Sequence, residues 1–179
     1  MKFIETKLSG AYLIEIEPVE DERGSFARTY CKREFRAQGL ETFFPQHSIS
    51  HSVRKGTLRG LHFQKEPYEE VKLVSCVQGA VLDVIVDMRP ASATRWNWFA
   101  AELSARNNRR LYIPRGFAHG FMTMQSDSIV SYMISEFYTP SAASGLRFDD
   151  PVLAIDWPQP PTSISARDTA WPLLHVEPA

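Results

Sequence analysis

The 179-residue chain lacks the marks of several protein classes. No apolar run approaches the ~18–20 residues that cross a bilayer as a helix, so no spanning helix is expected. The first ten residues, Met1 to Gly10, hold neither an apolar core nor a small-residue cleavage site, which argues against a secretory signal. Charge of one sign is also missing: 20 Lys and Arg face 21 Asp and Glu, a formal net of -1. Non-specific nucleic-acid binding leans on many Lys/Arg–phosphate contacts, so that partner class is excluded. Cysteine is scarce. Cys31 and Cys76 are the only two, lie far apart and form no C-x-x-C pair. They read as buried free thiols of a reducing compartment, and a cytoplasmic protein is expected. With no low-complexity linker and no internal repeat, residues 1–179 read as one domain.

What is present is short, β-branched and alternating. Ala11 to Ile16, Val71 to Val77 and Val81 to Asp87 read as strands. So do Trp96 to Leu103, Arg110 to Ile113, Phe121 to Met124 and Ile129 to Ile134. Turn signals separate them, among them Asp21-Glu22-Arg23-Gly24, Arg54-Lys55-Gly56 and Pro114-Arg115-Gly116. One helix is expected near Lys32 to Gln38, stopped by Gly39. Many short strands at this spacing imply an all-β antiparallel sandwich or barrel. The proline-rich segment from Pro151 reads as ordered coil with a turn of helix. The tryptophans read as packing residues, and His47, His51 and His175 have no chemical context.

The segment Pro114 to His119 has the form P-x-G-x-x-H, the second signature of the cupin barrel. A metal-binding cupin also needs two His and a Glu, the Glu seven positions before a turn glycine. Here that glycine is Gly79 and the slot holds Lys72, with no His from Lys65 to Tyr68. An ammonium in a carboxylate's place opposes a divalent cation. No metal and no cofactor are expected.

Several ordered blocks carry a closer resemblance. They are Asp21-Glu22-Arg23-Gly24, Gly56-Thr57-Leu58-Arg59-Gly60-Leu61-His62-Phe63-Gln64, Lys72-Leu73-Val74 and Ile113 to Phe121. Tyr132, Tyr138, Asp149-Asp150-Pro151, Ile155 to Pro158 and Ser165-Ala166-Arg167-Asp168 follow. Together, from about Lys2 to Leu174, the chain resembles the dTDP-4-dehydrorhamnose 3,5-epimerases. The resemblance implies an all-β cupin, or jelly roll, with an N-terminal strand extension and a coil and short-helix tail. It also implies a homodimer with exchanged N-terminal strands, whose Phe26 and Arg23 reach the partner's site.

The implied reaction inverts C3, C5 or both on an NDP-4-keto-6-deoxyhexose, the nucleotide-sugar partner. Protons beside the keto group are acidic because their loss gives an enolate. Inversion then needs a base on one face and an acid on the other. By resemblance His62 is the base, Asp168 fixes and supports its ring, Tyr132 is the acid and Lys72 stabilises the enolate. Arg23 and Arg59 look like the diphosphate clamp. Phe26 and Tyr138 look like base-stacking aromatics, and His119 like the family's second active-site histidine.

Three positions depart from the family pattern. Gln46-His47-Ser48 has a hydroxyl where the family shows an Asn amide. Arg28 replaces a carboxylate expected near the nucleotide base. Arg167 replaces a lysine. The specificity shell has therefore drifted around an intact catalytic set. A single-carbon epimerase, a cupin 3,4-ketoisomerase and a non-catalytic sugar-nucleotide-binding cupin remain alternatives.

Overall fold

The computed structural model describes residues 1–174. The elements begin with β1 (Lys2–Glu5), β2 (Tyr12–Glu15), β3 (Val19–Asp21) and β4 (Gly24–Phe26). Helix α1 (Lys32–Ala37) leads into β5 (Gln46–Ser52), β6 (Leu58–Gln64), β7 (Lys72–Gln78) and β8 (Ala80–Asp87). Then come β9 (Trp98–Ser104), β10 (Arg109–Ile113), β11 (Phe117–Thr123), β12 (Ser128–Ile134), β13 (Ala143–Gly145) and α2 (Ala166–Thr169). A six-stranded sheet has the order β1-β2-β10-β7-β12-β5 and a five-stranded sheet the order β13-β6-β11-β8-β9. Every pairing between these strands is antiparallel, as in a jelly roll. No helix among the described residues is long and apolar enough to cross a membrane.

Alternation along the strands builds three apolar layers. Val81 and Ile85 of β8 point between the sheets, where they meet Val74, Leu111, Phe117, Phe121 and Val130. Val84 and Val86 point the other way and pack with Leu61, Ala118, Leu146 and Leu153, flanked by Trp98 and Trp157. On the outer side of the larger sheet, Phe35 of α1 is buried with Ile14, Leu73 and Tyr112. The helix ends where expected: Gly39 has φ +69°, and its N–H donates to Arg36 O.

Some expectations change. Trp96 lies outside β9 because its backbone is left-handed (φ +65°), which breaks an extended run of L residues. The strand expected at Phe121 starts at Phe117, since the polar-looking His119 and Gly120 are part of a fully buried ladder. Both cysteines are free, but Cys31 at the start of α1 is only half-buried. His47 and His51 are exposed on β5, while His175 lies outside the described residues.

Candidate active site

A cavity of about 610 Å³ opens between the two sheets. β6 supplies one wall through Arg59 and His62. Strict alternation would send residues three apart to opposite faces. Instead the β6–β11 register shifts between His119 and Phe121. Gly60 sits at this bulge with φ +126°, and a Cβ there would collide with Gly120 Cα. The extra residue turns both Arg59 and His62 to the cavity while Leu61 goes to the opposite layer.

The C-terminal tail completes that wall. Leu58 N–H donates to Ser163 O (2.8 Å) and Thr162 N–H to Gly56 O (2.9 Å), docking the tail on the start of β6. Ser165 caps α2, its Oγ accepting from Asp168 N–H at 3.1 Å. Asp168 is thereby placed 2.6 Å from His62 Nε2. Burial pushes the Asp168 carboxyl up. The His62 hydrogen bond and charge, with contributions from Gly60 N–H and Ser165, outweigh it and hold the group below its ordinary value. An ionised Asp168 only accepts, so Nε2 carries the proton and Nδ1 keeps its lone pair. Half of the His62 side chain stays open, 45% exposed, against 5% for Asp168.

The facing wall belongs to the other sheet. Tyr132 on β12 donates or accepts a 3.0 Å hydrogen bond with Ser50 on β5. Burial pushes its phenol well above the usual range, so it is protonated at neutral pH. Lys72 stands at the start of β7 and reaches Glu70 Oε1 at 2.9 Å. His119 lines the cavity too, with Nε2 at 2.9 and 3.0 Å from the carboxylate oxygens of Asp83. Among the described residues, no group of three or more His, Cys, Asp or Glu could hold a metal ion.

Most of the residues singled out from sequence converge on this cavity. Gln46, Ser48, Arg59, His62, Lys72, His119, Tyr132, Tyr138, Arg167 and Asp168 all line it. Arg59 is braced by Ser52 Oγ (3.1 Å) and His51 O (2.9 Å). Arg167 stacks on Trp171 with 5.2 Å to the ring centroid. Arg23, Phe26 and Arg28 do not line it. The first two belong to the β3–β4 hairpin, exposed along its whole length. Arg23 folds back on Asp21, and Phe26 is 78% exposed. Arg28 lies just beyond, 3.7 Å from Glu34.

Sequence reasoning missed four contributors. Glu70 and Ser50 were silent because neither forms part of a recognisable motif. Asp83 was hidden in an apolar strand, although a lone carboxylate inside Val81 to Val86 was a visible signal. Gln64 stands inside a recognisable block that gives it no role of its own. Its side-chain oxygen accepts from Thr139 N–H (2.6 Å) and its amide donates to Phe137 O (3.2 Å). With Gln46 accepting from Tyr138 N–H (2.7 Å), two amides from two sheets fix the segment that presents Tyr138.

The sequence pattern of the dTDP-4-dehydrorhamnose 3,5-epimerases matches residues 5–176. A dTDP-4-dehydrorhamnose 3,5-epimerase from Methanothermobacter thermautotrophicus is 44% identical over 180 residues, covering 99% of this chain and 96% of that one. The Bacillus anthracis dTDP-4-dehydrorhamnose 3,5-epimerase, solved with TDP and PPi bound, superposes with TM-score 0.94 and 43% identity, covering 97% of this chain and 99% of that chain. The Legionella pneumophila dTDP-6-deoxy-D-glucose-3,5-epimerase, in complex with dTDP-4-keto-L-rhamnose, superposes with TM-score 0.90 and 37% identity, covering 96% and 92%. With a pattern matched over nearly its whole length and relatives of this identity, the chain belongs to the dTDP-4-dehydrorhamnose 3,5-epimerase family.

Proposed function

We propose that this epimerase inverts both C3 and C5 of an NDP-4-keto-6-deoxyhexose with His62 and Tyr132 as its acid–base pair. One observation carries the reading. His62 and Tyr132 line one cavity from opposite sheets, so a sugar ring between them meets a base on one face and an acid on the other. His62 Nδ1 takes the proton beside the keto group, and Asp168 supports the imidazolium that forms. The electron pair moves onto O4, where the Lys72 ammonium balances the developing charge. Tyr132, entering protonated, delivers a proton to the opposite face of the same carbon. Solvent then restores both groups, and the cycle repeats at the second carbon.

Arg59 and Arg167 are suited to the diphosphate, because guanidinium matches phosphate oxygens in a bidentate fork. Tyr138 is half-exposed at the cavity and offers a face to the nucleotide base. The exposed β3–β4 hairpin favours a homodimer in which Arg23, Phe26 and Arg28 complete the neighbouring site. A bare hairpin with an exposed Phe at its end is poorly stable alone and gains by packing on a partner. Residues 1–179 act as one catalytic domain, without a metal or organic cofactor. The two free thiols and the nucleotide-sugar substrate fit a cytoplasmic enzyme.

The direct test is incubation in D2O with a dTDP-4-keto-6-deoxyhexose, reading deuterium and configuration at C3 and C5 by NMR. Deuterium at both carbons with inversion is expected. Incorporation at one carbon only would make the protein a single-carbon epimerase, and incorporation at neither would end the reading.

A further inference from the structure

Lys72 has a flexible four-carbon stem, and a lysine at the wall of an open cavity ordinarily swings its head toward water. This one is held in. Its side chain is 12% exposed and that of Glu70, just ahead of β7, is 6% exposed. The ammonium donates to Glu70 Oε1 at 2.9 Å and to the backbone carbonyl of His62 at 3.4 Å. The second oxygen of Glu70, Oε2, is buried with no hydrogen-bond partner.

Folding does not account for this pair. Buried carboxylates are normally saturated with hydrogen bonds, and one left half-satisfied is destabilising. Buried ion pairs are in general weak contributors to stability. Glu70 borders the cavity, but its free oxygen Oε2 is buried and its other oxygen is taken by Lys72. The other acids at the cavity wall are engaged elsewhere, Asp168 with His62 Nε2 at 2.6 Å and Glu136 accepting from Phe137 N–H at 2.8 Å. What remains is its hold on Lys72.

Resting on the role given to Lys72 above, we propose that Glu70 is a positioning residue that acts through Lys72. An ammonium has three N–H donors. Glu70 Oε1 and His62 O take two, and the geometry leaves the third for the oxygen that becomes anionic in the enolate. The His62 carbonyl belongs to the residue that removes the proton, so the charge that receives the electron pair is registered to the base that releases it. Donors preorganised in this way act without reorganising during the reaction.

Three measurements on the full chain test this. Trace labelling with acetic anhydride, read by mass spectrometry, compares Lys72 with exposed Lys65 in the wild type and in E70Q. Lys72 is expected to label severalfold faster in E70Q, and an unchanged ratio overturns the link. Under the D2O assay, E70Q is expected to lower kcat by about tenfold with KM within about twofold. That loss is smaller than the ~10²–10³-fold of outright donor removal. In a K72M background E70Q is expected to change nothing further, and an equal loss there overturns the proposal. E70Q keeps the size and planarity of the side chain, and an unchanged circular dichroism spectrum confirms folding. A wild type that exchanges no deuterium refutes the assigned reaction, while the labelling ratio still decides the Glu70–Lys72 link.

Discussion

His62 and His119 are register partners across β6 and β11, and each is tied to its own carboxylate, Asp168 at 2.6 Å and Asp83 at 2.9 Å. Their surroundings divide the labour. The His62 side chain is half-open and lines the cavity, which leaves its free nitrogen available to a ligand. The His119 ring is 5% exposed and packs edge-on to Tyr132 at 6.1 Å. The first arrangement suits proton transfer and the second a rigid wall behind the acid.

His62→Ala is therefore expected to lose deuterium exchange at both carbons by about 10²–10⁴-fold, the usual contribution of a general base. His119→Ala should lose less and should also lower thermal stability, since it leaves Asp83 buried and unpaired. Exchange near the wild-type rate in His62→Ala would place the base elsewhere.

Tyr132→Phe removes the proton donor of one face and leaves the base of the other. Deuterium should then enter with configuration retained, through solvent exchange on His62, while inversion falls sharply. The lost hydroxyl also removes the 3.0 Å hydrogen bond to Ser50. Normal inversion by this variant would remove Tyr132 from the mechanism.

The two walls differ in how far they were readable. β7, β8 and β12 follow from β-branched runs, and the pairing of His62 with Asp168 from the family resemblance alone. Period-two alternation could not place Arg59 and His62 together, because the Gly60 bulge that joins their faces is a property of the β6–β11 packing. A long-range contact such as Gln64 with Thr139 has no periodic trace. Glu70 and Lys72 are only two residues apart, but Glu70 lies ahead of β7, outside the stretch whose alternation marks a strand. The β3–β4 hairpin is the opposite case. Its turn was plain, but a single chain gives Phe26 nothing to pack on.

Chelation should leave the activity intact. Lys72 occupies the position where a metal-binding cupin places a carboxylate ligand, and the described residues offer no three-donor cluster. Overnight dialysis against EDTA, followed by the D2O assay, is expected to give the untreated rate. Activity lost on dialysis and restored by zinc or iron would overturn this.

Acid sensitivity should have a defined source outside the cavity. Asp87 is fully buried at the end of β8 and accepts from Arg89 Nη2 (2.7 Å), Ser92 Oγ (2.5 Å) and Thr94 Oγ1 (2.7 Å). Burial alone would raise its carboxyl, but these bonds overcome it and hold the group at about 2. Its folded value lies below its unfolded one. The stabilisation is thus complete above about pH 4 and is lost as pH falls toward 2. That carboxyl contributes on the order of 2 kcal/mol. Asp87→Asn should flatten the drop in melting temperature between pH 4 and 2, while leaving a lower melting temperature at pH 7. An unchanged acid limb would assign the sensitivity to other carboxyls.

Nucleotide choice should depend on Arg28. Its side chain is 65% exposed and its guanidinium lies 3.7 Å from Glu34. That acid is already engaged by the Met1 ammonium at 2.9 Å, and an exposed pair at such a distance holds a side chain weakly. In the homodimer proposed above, Arg28 is thus free to meet a base bound at the neighbouring site. The carboxylate that the resemblance implies there would accept from the imide N–H of thymine or uracil, whereas a guanidinium only donates. Arg28 should favour base carbonyls, or O6 and N7 of guanine. A bidentate contact of this kind discriminates by ~1–3 kcal/mol, so relative affinities should move by about five- to 150-fold. Calorimetry with dTDP, UDP, CDP and GDP, on the wild type and on Arg28→Glu, reads the change. The order of preference is expected to differ between the two proteins, with dTDP and UDP gaining in Arg28→Glu. The same order in both would mean that Arg28 does not read the base.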